Sequence, residues 1–356
     1  MLSNHFIKWL RLKIVWFVSV VFALLLTAGL AASAQAADND FNIQVSPSPV
    51  SIVLTPGKRQ TATISVRNLT AHGETLYPKL SGFHIDNASQ AISFSETIPL
   101  GLDHWIHFKS PSVAIGPGET KQVQIIYDTP KDVGSSYALA IVLGRKSEAL
   151  PAKTGAYIEG NVAVFNLINI DRPDARHTLT IDNFKTDTSR YDFLPATFKL
   201  TVKNSGNVND QPSGNIFIQR SFNDTQPIAV IPINPASGYV LPDTSRTFTQ
   251  HWSDGFPLYT TGPSQGGMGT IKKLRWDWKR LGNFRIGRYV AKAVLIYNDG
   301  KRDVPLTASY VFWVMPWKLL LGAGFVIVVL GVGCAASIVL LIKGVKKVRR
   351  RYAHRR

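Results

Sequence analysis

The sequence predicts an all-β protein, with two tandem β-sandwich domains followed by one C-terminal transmembrane helix. Three observations carry this expectation. Short apolar and polar alternations, rich in β-branched residues, recur between turn residues from Phe41 to Met315. Two sequence patterns each occur twice, in the same order along the chain. Finally, Leu319 to Ile342 is a stretch of 24 residues without a charge.

The chain begins with Lys8, Arg11 and Lys13, followed by an apolar run from Ile14 to Leu30 and then "AASAQAAD". Small residues at Ala34 and Ala36 fit a signal-peptidase site, so residues 1–36 are read as a secretory signal cleaved after Ala36. The apolar run is slightly long for a signal, and an uncleaved anchor is the alternative.

From Phe41 onward, "FNIQVSPSPVSIVLTPGKRQTATISVRN" alternates as half-buried strands do. Its break at Thr55-Pro56-Gly57-Lys58 fits a type II turn, because Pro sets the first central φ and Gly accepts the positive φ of the second. Gly116-Pro117-Gly118-Glu119 repeats the device before "TKQVQIIYD".

The internal repeat then divides the chain. "TATISVRNLT" (Thr61 to Thr70) is echoed by "ATFKLTVKNSG" (Ala196 to Gly206), and "VGSSYALAIVLG" by "IGRYVAKAVLIYNDG". Two sandwiches follow, over residues 41–170 and 175–315, joined by the polar "DRPD" of Asp171 to Asp174. Each is slightly longer than the roughly 100 residues of an immunoglobulin-like sandwich. In the second, the excess is assigned to Ser253 to Phe284, which lacks alternation and is read as one long loop.

The apolar segment of residues 319–342 is long enough, at about 1.5 Å per residue, to cross a hydrocarbon core of about 30 Å. Trp313 and Trp317 flank one end and the basic tail of residues 343–356 flanks the other. The positive-inside rule then places the tail in the cytoplasm and the sandwiches outside, as a single-pass plasma-membrane protein. Gly322, Gly324, Gly331 and Gly333 leave room for close packing against a second membrane helix.

The last two strands, "GRYVAKAVLIY" and "DVPLTASYVFWV", read as a hairpin turning at Asn298-Asp299-Gly300-Lys301, with Asp-Gly in a two-residue turn. Antiparallel pairing sets Arg288 beside Val314, at the membrane-facing end. The preceding "TIKKLRWDWKR" is therefore expected near the bilayer. Lys272, Lys273, Arg275, Lys279, Arg280, Arg285 and Arg288 are candidates for headgroup contact, with Trp276, Trp278, Trp313 and Trp317 in the aromatic layer. Packing of Trp276 and Trp278 on an open sandwich edge, or ligand binding, are the alternatives.

The chain carries 40 Lys and Arg against 23 Asp and Glu, but eleven of the positive charges lie in the two ends. A nucleic-acid partner is not expected for an exported chain. Catalytic signatures are missing as well: there is no Gly-x-Ser-x-Gly elbow, zincin motif or Walker loop. Cys334 is the only cysteine and lies in the apolar span. His104 and His107, three apart in an expected strand, fall on opposite faces and do not make a metal site. The expectation is a non-enzyme without cofactor or metal.

"VSPSPVSIVLTPGKRQTATISVRNLT", "IGPGETKQVQIIYDTPKDVGSSYALAIVLG", "GNVAVFNLINI" and the single span with its basic tail together resemble bacterial surface proteins that interact with WxL proteins. The resemblance covers mainly Phe41 to Ile170 and the membrane segment. It implies a non-catalytic envelope protein whose first sandwich meets peptidoglycan, anionic wall polymer or other surface proteins. Arg145, Lys146 and Lys153 in "GRKSEALPAKTGAY" are the candidate polymer contacts, with a solvated hairpin loop as the alternative. The first domain is also similar to pilus-type chaperones, which implies a membrane-tethered chaperone-like protein lending a strand to a client. An accessory subunit of a transport or secretion complex is a third expectation.

Overall fold

The computed structural model describes residues 41–353, apart from 87–88, 96, 146–160 and 264–269. In chain order the first sandwich contains β1 (Ile43–Ser46), β2 (Val50–Leu54), β3 (Arg59–Asn68), β4 (Glu74–Ile85), β5 (Ile92–Ser95), β6 (Ile106–Phe108), β7 (Val113–Ile115), β8 (Thr120–Asp128), β9 (Ser136–Gly144) and β10 (Asn161–Ile170). One sheet has the order β1-β3-β8-β6 and the facing sheet β2-β10-β9-β4-β5, with β7 also on β4.

The second sandwich contains β11 (Leu179–Thr186), β12 (Arg190–Tyr191), β13 (Ala196–Asn204), β14 (Ser213–Gln219), β15 (Ala229–Pro232), β16 (Ser245–Trp252), β17 (Leu258–Pro263), β18 (Thr270–Arg275), β19 (Gly287–Asn298) and β20 (Asp303–Val314). Its sheets run β11-β13-β16 and β12-β20-β19-β14-β15, with β17 and β18 as a separate hairpin. Eight strands correspond in order, β1-β3-β8 to β11-β13-β16 and β2-β10-β9-β4-β5 to β12-β20-β19-β14-β15, whereas β6, β7, β17 and β18 have no counterpart among the described residues. β3 and β13 carry the first repeated pattern, and β9 and β19 the second.

Both sandwiches divide their first strand between the two sheets. β1 pairs antiparallel with β3, whereas β2 pairs parallel with β10; β11 pairs with β13, whereas β12 pairs parallel with β20. In the first sandwich the crossing occurs at Pro47-Ser48-Pro49, where the missing proline N–H groups interrupt any ladder.

Period-2 patterning sets the cores. Along β13, Ala196, Phe198, Leu200 and Val202 are buried together with Asn204, and the residues between them are less so. They meet Trp252, Tyr289 and Phe312, whose rings contact one another edge-on or stacked at 5.1 to 6.0 Å. The first core is built from Leu54, Ile64, Ile125, Tyr127, Leu139 and Ile141.

The turns at Gly57 and Gly118 have φ of +73° and +69°, and close through Lys58 N to Thr55 O and Glu119 N to Gly116 O. Both match the sequence expectation. The last hairpin departs from it. Asn298 pairs with Asp303, so Asp299 to Arg302 form a longer loop with only Gly300 at positive φ. The Asp299 carboxylate accepts from the Lys301 and Arg302 amides and stabilises this wider turn.

Two further expectations change. Ser253 to Phe284 is not one loop: it holds the β17–β18 hairpin and a 3-10 turn, Trp278–Asn283. β17 and β18 form a sheet of their own that is tied to the body by the Leu194–Leu258 bridge, with Tyr259 N donating to Leu194 O. His104 and His107 do not share a strand either. His104 ends a 3-10 turn (Pro99–His104), buried Trp105 intervenes, and His107 lies in β6.

Direct contacts join the sandwiches. Asn209 N donates to the Asn169 side chain and Asn209 Nδ2 donates to Ile168 O, while Asn169 Nδ2 donates to Asn209 O. Asn207 adds bonds to Ser135 and Ser136. After Val314, Met315 and Pro316 lead into helix α1 (Trp317–Ala353). Its segment Trp317–Val339 spans 23 residues at a mean hydropathy of 2.5, long and apolar enough to cross a membrane. The helix continues through most of the basic tail, as far as Ala353.

Candidate functional site

Register assigns the ends of the second sandwich. Gly287 pairs with Val314, Tyr191 with Val314, Ala196 with Trp252 and Gln219 with Val290. The segments 187–195, 220–227, 253–257 and 276–286 therefore gather at the end where α1 begins. Asn207 and Asn209, which hold the first sandwich, lie at the opposite end.

Asp254 organises the helix-side end. Its carboxylate accepts from Arg285 Nη2 at 2.6 Å, Asn283 Nδ2 at 2.6 Å and Arg280 Nη2 at 3.1 Å, and its carbonyl accepts from Arg285 Nε. Phe256 N donates to Asn283 O. These bonds fix the 3-10 turn, whose second amide, on Lys279, donates to the side chain of the N-cap residue Asp277.

On this base Trp276 and Trp278 stack at 5.8 Å, and both rings rest on buried Phe256, at 5.7 and 5.4 Å. They share one face, and both remain open to solvent, Trp276 at 45% and Trp278 at 68%. Lys272, Lys273, Arg275 and Lys279 are exposed, whereas Arg280 is half-buried against Asp254. Trp313 and Trp317 are exposed beside the start of α1.

The structure adds residues that sequence reasoning missed. Leu281, Phe284 and Met315 are exposed at the same end. So is Phe222, in a loop where Asp224 Oδ2 accepts from the Arg220 and Ser221 amides. Arg220 ties this loop to β19 by donating to Ile286 O and lying 4.5 Å over the Tyr289 ring. No pattern around Phe222 marks it; only the register of β14 against β19 brings it there.

A second feature lies at the far end of the first sandwich. β2 reaches only Asn166 to Ile170 of β10. Asn161 to Phe165 are paired with β9 on one side and, among the described residues, with no strand on the other. Asn166 accepts from core Tyr127, so even-numbered neighbours face the core while Ala163 and Phe165 face outward. Phe165 contacts Phe83 at 4.8 Å on that outer face.

The candidate polymer residues divide. Arg145 follows β9 and is held by buried Glu74, with Nη2 to Oε1 at 2.5 Å and Nε to Oε2 at 2.8 Å. That guanidinium pulls the Glu74 carboxyl below its usual range. Lys146 and Lys153 lie outside the described residues, as do the signal-cleavage positions Ala34 and Ala36.

Two of the other displaced carboxyls have structural causes of the same kind. Asp128 is lowered to about 2, first by its hydrogen bond from Arg59 and then by that from His107. Asp210 is raised by burial, which outweighs its contact with His177.

No family model and no curated protein sequence matches the chain. Among solved structures, the chain is similar to the class 5 fimbriae chaperone CfaA, with 11% identity, a TM-score of 0.32, and coverage of 66% of this chain and 100% of that one. The CupB2 chaperone of Pseudomonas aeruginosa is 10% identical, with a TM-score of 0.32, over 76% of this chain and 100% of that one. The E. coli chaperone DraB is 10% identical, with a TM-score of 0.31, over 75% and 96%.

Proposed function

We propose that this chain is a non-catalytic, membrane-anchored protein that holds another protein by strand addition to the open half of β10. In this reading α1 spans the bilayer, with the basic tail in the cytoplasm and the sandwiches outside. The observation that supports strand addition is the one-sided pairing of Asn161 to Phe165. An unpaired sheet edge offers backbone donors and acceptors to an extended segment, and alternate side chains select it.

Edges that proteins protect carry charge or proline. β20 is paired in parallel only at Trp313 and Val314, and its remaining edge carries Asp303 and Pro305. Asn161-Val162-Ala163-Val164-Phe165 has neither. Its end of β10 is also the one remote from the linker at Asp171, and so from the second sandwich and α1.

The test is a photo-crosslinking residue at Ala163 in the full chain in its own membrane, with Thr307 on β20 as the comparison. A discrete protein adduct at Ala163, absent at Thr307, is expected. Placing the probe at Asn161 and adding Ala163→Lys, which charges the edge, is expected to abolish the adduct. Equal labelling at both strands, or an adduct indifferent to the lysine, would overturn the proposal.

A further inference from the structure

We infer that the helix-side end of the second sandwich seats in the headgroup layer of the bilayer that α1 enters. Trp276, Trp278, Leu281 and Phe222 are its apolar contacts, and Lys272, Lys273, Arg275 and Lys279 its contacts to anionic lipid. This rests on the reading of α1 as a membrane span.

Position comes first. Val314 ends β20, and α1 starts at Trp317. At about 3.3 Å per residue, three steps place the start of the helix within roughly 10 Å of the strand end. Gly287 pairs with Val314, so the segment 276–286 reaches that level from the other strand. Met315 N also donates to Tyr191 O, which fastens the connection to the body of the sandwich. The end bearing these loops is thus held at the bilayer surface once α1 is inserted.

Chemistry selects the occupant. Exposed aromatic and aliphatic side chains gathered at one end of a domain require a cover. Indole rings favour the headgroup level, where the ring is apolar and its N–H finds a polar partner. Leu281 is 56% exposed and Phe222 55%, from two loops that Arg220 and the β14–β19 register bring to the same end.

Charge points the same way. Arg280 and Arg285 are neutralised by Asp254. Lys272, Lys273, Arg275 and Lys279 make no ion pair with another described residue. Each such cation near an anionic surface adds attraction. The Asp254 clamp keeps the aromatic turn in one geometry, so little ordering accompanies contact with lipid.

Because Cys334 is the only cysteine, nitroxide labelling of the unaltered chain reports on α1. In a Cys334→Ser background, Leu281→Cys reports on the turn and Leu69→Cys on the first sandwich. All three are reconstituted in phosphatidylglycerol vesicles, and collisions with oxygen and with a water-soluble nickel chelate are compared. The Cys334 label is expected to be oxygen-accessible and nickel-shielded. The Leu281 label is expected to lie between it and the water-exposed Leu69 label, and to shift toward Leu69 when Trp276→Ser and Trp278→Ser are added.

Replacing phosphatidylglycerol with phosphatidylcholine is expected to weaken the shielding at Leu281. Indifference to that change would overturn the lysine and arginine contacts and leave the aromatic ones supported. A Leu281 label indistinguishable from Leu69, while the Cys334 label lies in the bilayer, would overturn the inference alone. A nickel-accessible Cys334 label would instead overturn the spanning reading, and this inference with it.

Discussion

Asn68 and Asn204 perform the same task in the two sandwiches. Each is fully buried at the end of its strand, and each side chain bridges a local turn to a distant segment. Asn68 Nδ2 donates to His72 O and Ile115 O, and its Oδ1 accepts from Thr70 N. Asn204 Nδ2 donates to Val208 O and Val240 O, and its Oδ1 accepts from Gly206 N. The weak sequence echo between β3 and β13 is thus a repeated solution to one problem: closing a turn whose backbone groups are shut away from water.

Asn204→Ala removes these bonds, so that Val208 O and Gly206 N lose this partner while Val240 O keeps the Asp210 amide. A loss of roughly 2–3 kcal/mol is expected, and Asn68→Ala should cost a similar amount in the first sandwich. Thermal unfolding of the detergent-solubilised chain measures both. An unchanged midpoint for either variant would refute its role as a turn anchor.

Glu74 and Arg145 form a pair in which the carboxylate is buried and the guanidinium is partly exposed. Arg145→Met strands the carboxylate and is expected to destabilise the chain by roughly 1–3 kcal/mol. The double change Glu74→Gln with Arg145→Met should recover part of that loss, because no buried charge then lacks its partner. A double-mutant cycle by urea denaturation checks the coupling.

Asp128 and Asp210 are expected to respond oppositely to pH. The folded chain holds Asp128 at about 2, below an ordinary aspartate. Its contribution is present above about pH 4 and is lost as pH falls toward 2, so Asp128→Asn flattens the acid limb of the stability curve. Burial raises Asp210 instead. Its folded form takes up a proton more readily than the unfolded chain, so its contribution declines as pH rises above about 4. Asp210→Asn should remove that decline. Unfolding midpoints measured across pH 2 to 8 separate the two cases.

Asn209 joins the sandwiches through Asn169 and Ile168. Asn209→Ala should loosen the junction without unfolding either body. Faster proteolysis between Asp171 and Asp174, with unchanged midpoints, is the expected result; unchanged cleavage would show that the remaining bonds suffice.

The sites were less legible than the strands. Trp276 and Trp278 were visible as an unusual local composition, and hairpin logic placed them near α1. The Asp254 clamp that shapes their turn was not visible, because Asp254 follows β16 and Arg280, Asn283 and Arg285 precede β19, and these strands lie in different sheets that meet only in the folded sandwich. Phe222 was hidden because only the register of β14 against β19 brings it to this end. The one-sided pairing of this half of β10 among the described residues has no local signal at all: Asn161 to Phe165 read like any buried strand, and the pairing depends on where β2 stops.

What the sequence by itself determined is what short-range physics controls. Period-2 burial wrote the strands, proline and glycine wrote the turns at Gly57 and Gly118, and an uncharged run wrote α1. Tertiary structure alone decided which strand is paired on one side only among the described residues, which arginines are neutralised and which aromatic residues share one end of a sandwich. Those outcomes depend on pairings between residues far apart in the chain, and the local alternation of a strand does not specify its neighbour.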